Sequence, residues 1–182
     1  MHPGQQIGEL DHCGADALSG PRRILSVNTS DQGGGAERVA WSLFKGYQRH
    51  GVESRLVVGD KKSCDPHVTA LHEGPHYPAA LGNRWQRARR RLKKWACGRW
   101  GVEDFEYPCT RYLAAVAGGS PDILHCHNLH GGFFDLRLLP ALSLQTPTVL
   151  TLHDSWTMTG HCADHPTCQR WETGCGRCPD WP

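Results

Sequence analysis

A Rossmann-like α/β fold, with a parallel sheet covered on both faces, is what this chain predicts, and three observations predict it. Short apolar runs recur along the sequence, helix-period segments or Gly-rich turns separate several of them, and the runs are near-continuously apolar instead of alternating with polar residues. Strands buried on both faces have that composition, and strands that alternate with helices form parallel sheets.

The first element is Arg23-Ile24-Leu25-Ser26-Val27-Asn28, which runs into Asp31-Gln32-Gly33-Gly34-Gly35. Val39, Ala40, Leu43, Phe44 and Tyr47 follow at helical spacing, and the helix closes at His50-Gly51, a cation and then a Gly stop. A second strand spans Ser54 to Gly59, completing one βαβ unit, and Val68 to Leu71 forms a further short strand. Asp122 to His127 and Thr148 to His153 are two more buried-type strands. The apolar segment from Phe133 to Leu144 lies between them, and Pro140 is expected to split it into two helical pieces.

In open parallel sheets ligands bind outside the carboxyl ends of the strands. Those ends carry Gly33 to Gly35, Gly59-Asp60, His127-Asn128 and His153-Asp154. A Gly-rich turn feeding a helix exposes backbone N–H groups and a positive dipole end, which favours an anion such as a phosphate. The same glycines could serve a tight turn alone, and the third Gly of the dinucleotide fingerprint is replaced by Arg38. Asp60, near where a ribose-binding acid would stand, keeps a nicotinamide-dependent oxidoreductase as an alternative. His125 and His127 point to the same face of a strand. His125 is expected to be a satisfied interior histidine. His127, at the strand end, is expected to exchange hydrogen bonds with a ligand hydroxyl in either protonation state, its pKa being near neutrality. His153-Asp154 either repeats that pattern one strand over or leaves Asp154 to cap the next turn.

The chain has 182 residues, a formal charge of +2, nine Cys and seven Trp. That length fits a single domain, and so small a net charge argues for neither nucleic acid nor membrane unless charge is locally clustered. Residues 1–21 read as a flexible tail without a signal-peptide core, 22–158 as the Rossmann-like domain, and 159–182 as a Cys-rich loop. No apolar stretch is long enough for a membrane span, Leu138 to Leu152 being broken by Pro140, Gln145 and Pro147. A cytoplasmic location with reduced thiols is expected.

Four Cys, at 162, 168, 175 and 178, follow the last strand with spacing Cys-x5-Cys-x6-Cys-x2-Cys. Cys162, Cys168, Cys175 and Cys178 suit a closed tetrahedral structural zinc site, with His161 or His165 as substitutes for one thiolate; iron–sulfur ligation and two disulfides are the alternatives. Arg84 to Trp100 has Trp85, Ala88, Leu92 and Trp95 on one helical face and basic residues over most of the rest. Such a helix either docks on the sheet by that stripe or lies on an anionic membrane, and nucleic acid is a third partner for it. A zinc-containing nucleic-acid-binding module is the corresponding alternative for the whole chain, but it leaves the strand-end histidines and the Gly loop without a purpose, so no nucleic acid is expected.

The segments Asn28 to Arg38 (NTSDQGGGAER), Asp122 to Leu139 (DILHCHNLHGGFFDLRLL), Thr151 to Trp156 (TLHDSW) and Thr159 to Pro179 (TGHCADHPTCQRWETGCGRCP) resemble the amino-terminal domain of glycosyltransferase family 4, particularly its colanic-acid-type members. The resemblance runs from about Arg22 to the end. It implies the amino-terminal half of a GT-B enzyme, in which two Rossmann-like domains face each other across a cleft. It also implies a nucleotide-sugar donor, a saccharide or lipid-linked acceptor, retention of anomeric configuration, no catalytic metal, and a hexosyltransferase role in bacterial surface polysaccharide synthesis. By that resemblance Gly33, Gly34, Gly35 and Arg38 lie near the donor diphosphate and acceptor, and His127 touches the donor sugar near the reacting carbon, with Asn128, His153 and Asp154 as further substrate-binding candidates. The donor nucleotide is held mainly by the carboxyl-terminal domain of such enzymes, so this chain is expected to be an incomplete, acceptor-side fragment, inactive alone. A lipid-linked acceptor would put it peripherally on the inner face of the cell membrane.

Overall fold

The computed structural model describes residues 20–72, 88–89, 91–93, 95–96, 106–159, 162–164 and 167–174. The amino-terminal tail except Gly20 and Pro21, much of the basic segment, and Cys175, Cys178, His161 and His165 lie outside the described residues.

Five parallel strands form one sheet in the order β3-β2-β1-β4-β5. They are β1 (Arg23–Ser30), β2 (Glu53–Asp60), β3 (Val68–Ala70), β4 (Ile123–Cys126) and β5 (Thr148–Leu150). Each apolar run identified in the sequence is a strand, and all are parallel. The order of travel across the sheet reverses between β1 and β4, which creates a crevice at their carboxyl ends.

The helices cover both faces. Helix α1 (Gly35–Arg49) packs Phe44 against Leu56, Val58 and Val68 with Trp41 alongside. Val57, one residue out of phase, belongs to the opposite core with Leu25, Val27, Leu124, Cys126 and Phe134. Strand β2 is therefore buried on both sides, which is why its sequence is continuously apolar. Complete burial of a side chain such as Phe44 stabilises the fold by roughly 1.5–3 kcal/mol. The opposite core is closed by α2 (Leu113–Val116), preceded by a 3₁₀ turn at Pro108–Tyr112, and by α3 (Leu139–Gln145).

Helix α1 stops as the sequence predicts. Gly51 takes a left-handed φ of 78°, and the Val52 and Gly51 N–H groups return to the Tyr47 and Gln48 carbonyls, each at 3.0 Å. That is a Schellman closure, and it satisfies carbonyls the helix would leave open. Pro140 behaves differently from the expectation. The segment is a 3₁₀ turn (Leu136–Leu138) running into α3, with Pro140 in the first turn of the helix, where its missing N–H has no helical partner to lose. The division falls before the proline, with Asp135 accepting from the Arg137 N–H at the turn's start.

The loop after β4 is locked over the ends of β1 and β2. A Cβ on Gly59 would stand 2.7 Å from Phe133 Cγ, so only glycine lets Phe133 lie against β2. Gly131 and Gly132 have φ of 102° and 86°, values that favour glycine and turn the chain back across Thr29 and Tyr107. A further short helix, α4 (Trp156–Thr159), follows β5.

Candidate active site at the sheet switch point

The carboxyl ends of β4 and β5, beside the switch point, gather histidines. His127 directly follows β4 and is 2 % exposed; its N–H bonds to the Val27 carbonyl at 2.9 Å, extending the pairing with β1. Its Nδ1 lies 3.0 Å from Nε2 of His153, which follows β5, and the two rings stack at 5.3 Å. His127 Nε2 is buried and has no hydrogen-bond partner among the described residues. His127 lines a cavity of about 30 Å³ together with His130, Leu136, Leu150, His153 and Asp154.

His125 stands behind His127, with ring centres 4.2 Å apart, as strand alternation requires. Both of its nitrogens are engaged, Nδ1 with Tyr47 Oη at 2.9 Å and Nε2 with Thr151 Oγ1 at 2.8 Å. It is the satisfied interior histidine expected from its position. Burial, reinforced by His125 and His153, pushes the pKa of His127 down to about 3. The expectation that either protonation state is accessible is therefore corrected: His127 is neutral at physiological pH, because desolvation penalises the charged ring. The buried Cys126 thiol is pushed up to about 12 and stays protonated, so it is no nucleophile.

Asn128 contributes its backbone. Its N–H donates to Asn28 Oδ1 at 3.2 Å, and the carbonyls of Asn128 and His130 both accept from Thr29 Oγ1 at 3.1 Å. Polar residues ending β1 thereby hold the loop that carries His130. His130 Nε2 lies 2.8 Å from Asp154 Oδ2, and its ring packs 5.2 Å from Trp156. Asp154 also accepts from the Trp156 N–H at 3.0 Å, so it serves both the loop contact and the turn cap.

His127, Asn128, His153 and Asp154 come together at one cavity. The Gly loop and Arg38 do not line it: Arg38 is exposed on α1 and borders a separate groove with Ser42 and Leu43. Gly34 caps α1 with extended backbone, and none of Gly33, Gly34 or Gly35 has a positive φ. The Glu37 carboxylate lies 3.3 Å from where a Cβ on Gly33 or Gly34 would stand, so an acidic side chain already faces the start of the helix. Asp31, beyond β1, is buried and accepts from the Lys62 and Ser63 N–H groups, each at 2.8 Å. Burial raises its pKa, but the Ser63 and Lys62 bonds outweigh that and hold it below the usual carboxylate range.

Sequence reasoning missed His130, Tyr47 and Thr151. His130 had a signal, standing three residues after His127 with two glycines following; the Tyr47 contact depends on the rotation of α1 about its axis. Among the described residues no group of three or more His, Cys, Asp or Glu forms a metal site. Cys162 and Cys168 are half-buried and not disulfide-bonded, while their two expected partners lie outside the described residues. Among the described residues no helix is long and apolar enough to cross a membrane.

An open parallel sheet with histidines gathered at the carboxyl ends of its strands defines a Rossmann-like domain. Residues 34–177 match the family model described as glycosyl transferase 4-like domain, and the chain belongs to that family. It is 30 % identical over 164 residues to the protein named "Putative colanic acid biosynthesis glycosyl transferase WcaC" of Escherichia coli (strain K12). That alignment covers 86 % of this chain and 39 % of the relative, so the chain spans well under half of it. No solved structure matches the chain.

Proposed function

We propose that this chain is the acceptor-side half of a retaining, nucleotide-sugar-dependent hexosyltransferase acting in bacterial surface polysaccharide synthesis. Family membership and the relative's name support the class. The observation that carries the site is His127, buried at the switch point with Nδ1 tied to His153 and Nε2 unpartnered among the described residues. Held neutral, the ring offers either a lone pair or an N–H at Nε2, depending on which histidine carries the shared proton, and both suit a sugar hydroxyl. His127 is thus read as a hydrogen-bonding catalytic residue and not as an acid poised near pH 7. Asn128, His153 and Asp154 shape the same crevice. Gly33, Gly34, Gly35 and Arg38 are assigned to the diphosphate side, where the helix start favours an anion once Glu37 swings aside. No catalytic metal takes part.

The acceptor is a saccharide, free or on a lipid carrier; a lipid carrier makes this a cytoplasmic protein peripheral to the inner face of the membrane. The nicotinamide reading is less well supported, since Asp60 is exposed beside Lys62 and Arg38 replaces the third glycine.

The test joins this chain to the donor-side half of the E. coli relative and supplies nucleoside diphosphate hexoses with a lipid-linked saccharide. Retained anomeric configuration in the product, no transfer by the 182-residue chain alone, and a loss of about 10²-fold or more in His127→Ala are expected. An inverted product, or turnover unchanged in His127→Ala, overturns the assignment.

A further inference from the structure

The basic segment between β3 and α2 is not absorbed by the sugar-transfer site, and its described residues settle how its apolar stripe is used. Residues 88–89, 91–93 and 95–96 are helical. At about 100° per residue, Ala88, Leu92 and Trp95 share one stripe, with Arg91 on one flank and Arg89, then Lys93, on the other. That stripe does not dock on the sheet. Leu92 is 65 % exposed and Trp95 69 %, and Ala88, Arg89 and Arg91 are exposed with them. Lys93 is engaged by Glu106 at 2.6 Å, which ties the segment to the chain entering the 3₁₀ turn before α2. A large aromatic and a leucine side by side in water are unfavourable, and a globular domain normally buries such a pair.

We infer that this helix face is a docking surface for an anionic lipid bilayer. The arrangement fits an interfacial helix: an apolar stripe to enter the acyl boundary, arginines on either flank whose stems run along it while the guanidinium groups meet lipid phosphates, and a Trp suited to the headgroup level. Charge complementarity selects the partner, because the described cations Arg89 and Arg91 border the stripe itself, where a neutral apolar partner would leave them buried or idle. The helix lies on the membrane and does not span it. This inference is independent of the sugar-transfer assignment.

The 182-residue chain is incubated with phosphatidylglycerol-containing vesicles, with pure phosphatidylcholine vesicles and with a DNA duplex, and sedimented at low and high salt. Binding to the anionic vesicles, release by high salt and little binding to neutral vesicles are expected. Arg89→Glu with Arg91→Glu should weaken binding at least about 25-fold, at roughly five-fold per cation removed. Leu92→Ser with Trp95→Ser should reduce quenching of Trp fluorescence by lipids brominated near the headgroup while leaving weak, salt-sensitive adsorption. All four side chains being exposed or at the surface, circular dichroism should be unchanged in both variants. Equal binding to neutral and anionic vesicles, indifference of binding to both double variants, duplex binding without vesicle binding, or a dimer lost in the Leu92/Trp95 variant without vesicle binding would each overturn the inference.

Discussion

His127 Nδ1 and His153 Nε2 face each other at 3.0 Å across the ends of β4 and β5, two adjacent parallel strands. With both rings neutral, one nitrogen donates and the other accepts, so one proton serves the pair. Protonating both rings would put like charges in contact within a buried crevice, and this reinforces the desolvation that holds His127 neutral.

Acid should weaken the fold early. The pKa of His127 is about 3 in the native state against about 6.5 for an ordinary histidine, so below pH 6.5 the unfolded chain takes up a proton that the native chain refuses. Stability contributed by this group is present above pH 6.5 and falls progressively down to about pH 3, by at most about 1.4 kcal/mol per pH unit. Urea unfolding between pH 7 and pH 4.5, above the range of most carboxylates, should show the slope. His127→Gln should reduce it, leaving the part due to His125, whose pKa burial also lowers. A flat profile in the wild type contradicts the burial argument.

Tyr47→Phe removes only the hydroxyl that meets His125 Nδ1, leaving a buried nitrogen without its partner. A loss of about 1–3 kcal/mol is expected, because an unsatisfied buried polar group costs its desolvation. His125→Ala should likewise act on stability. A Tyr47→Phe chain as stable as wild type, measured by chemical denaturation, removes the contact from the account.

At Gly59 an added methyl must displace Phe133 or the Thr29 carbonyl, which it would approach to 3.0 Å. Gly59→Ala should destabilise by about 1–3 kcal/mol, the usual cost of overpacking. Combined with Phe133→Ala, the two losses should sum to more than the double variant shows, since removing the ring removes the clash. Strict additivity would mean that the loop does not rest on Gly59.

The cysteines make a separate expectation. Purified under reducing conditions, the protein should carry about one zinc per chain, and chelation should loosen the loop from Gly160 to Pro179 while the sheet stays folded. Metal analysis without zinc or iron, with Cys162, Cys168, Cys175 and Cys178 all alkylated in the native protein, contradicts it.

Much of the sheet was legible because its strands are buried on both faces. Leu56, Val57 and Val58 need apolar neighbours on alternate sides, and a run of that kind has few other uses. The position of His127 was legible too, since a histidine ending such a run must stand at the carboxyl edge of the sheet. What periodicity does not carry is burial depth and the meeting of distant residues. The neutrality of His127, the Tyr47–His125 contact and the packing of Phe133 on Gly59 all depend on how helices and loops settle on the sheet. The Gly loop illustrates the same limit: its glycines suggested room for an anion, but whether Glu37 folds back beside them is a rotamer choice that the spacing does not express. Pro140 was misjudged because the helix starts just before it, where proline is tolerated.

His127 Nε2 is proposed to meet the sugar. Ring-nitrogen NMR of the histidine-labelled 182-residue chain, titrated with nucleoside diphosphate hexoses and with acceptor-type saccharides, tests it most directly. A saturable shift of His127 Nε2 with a smaller response at His153, no response to the bare nucleotide, and loss of saturable binding in His127→Ala are expected. Saturable sugar binding that leaves the His127 resonances unmoved would contradict the proposed contact.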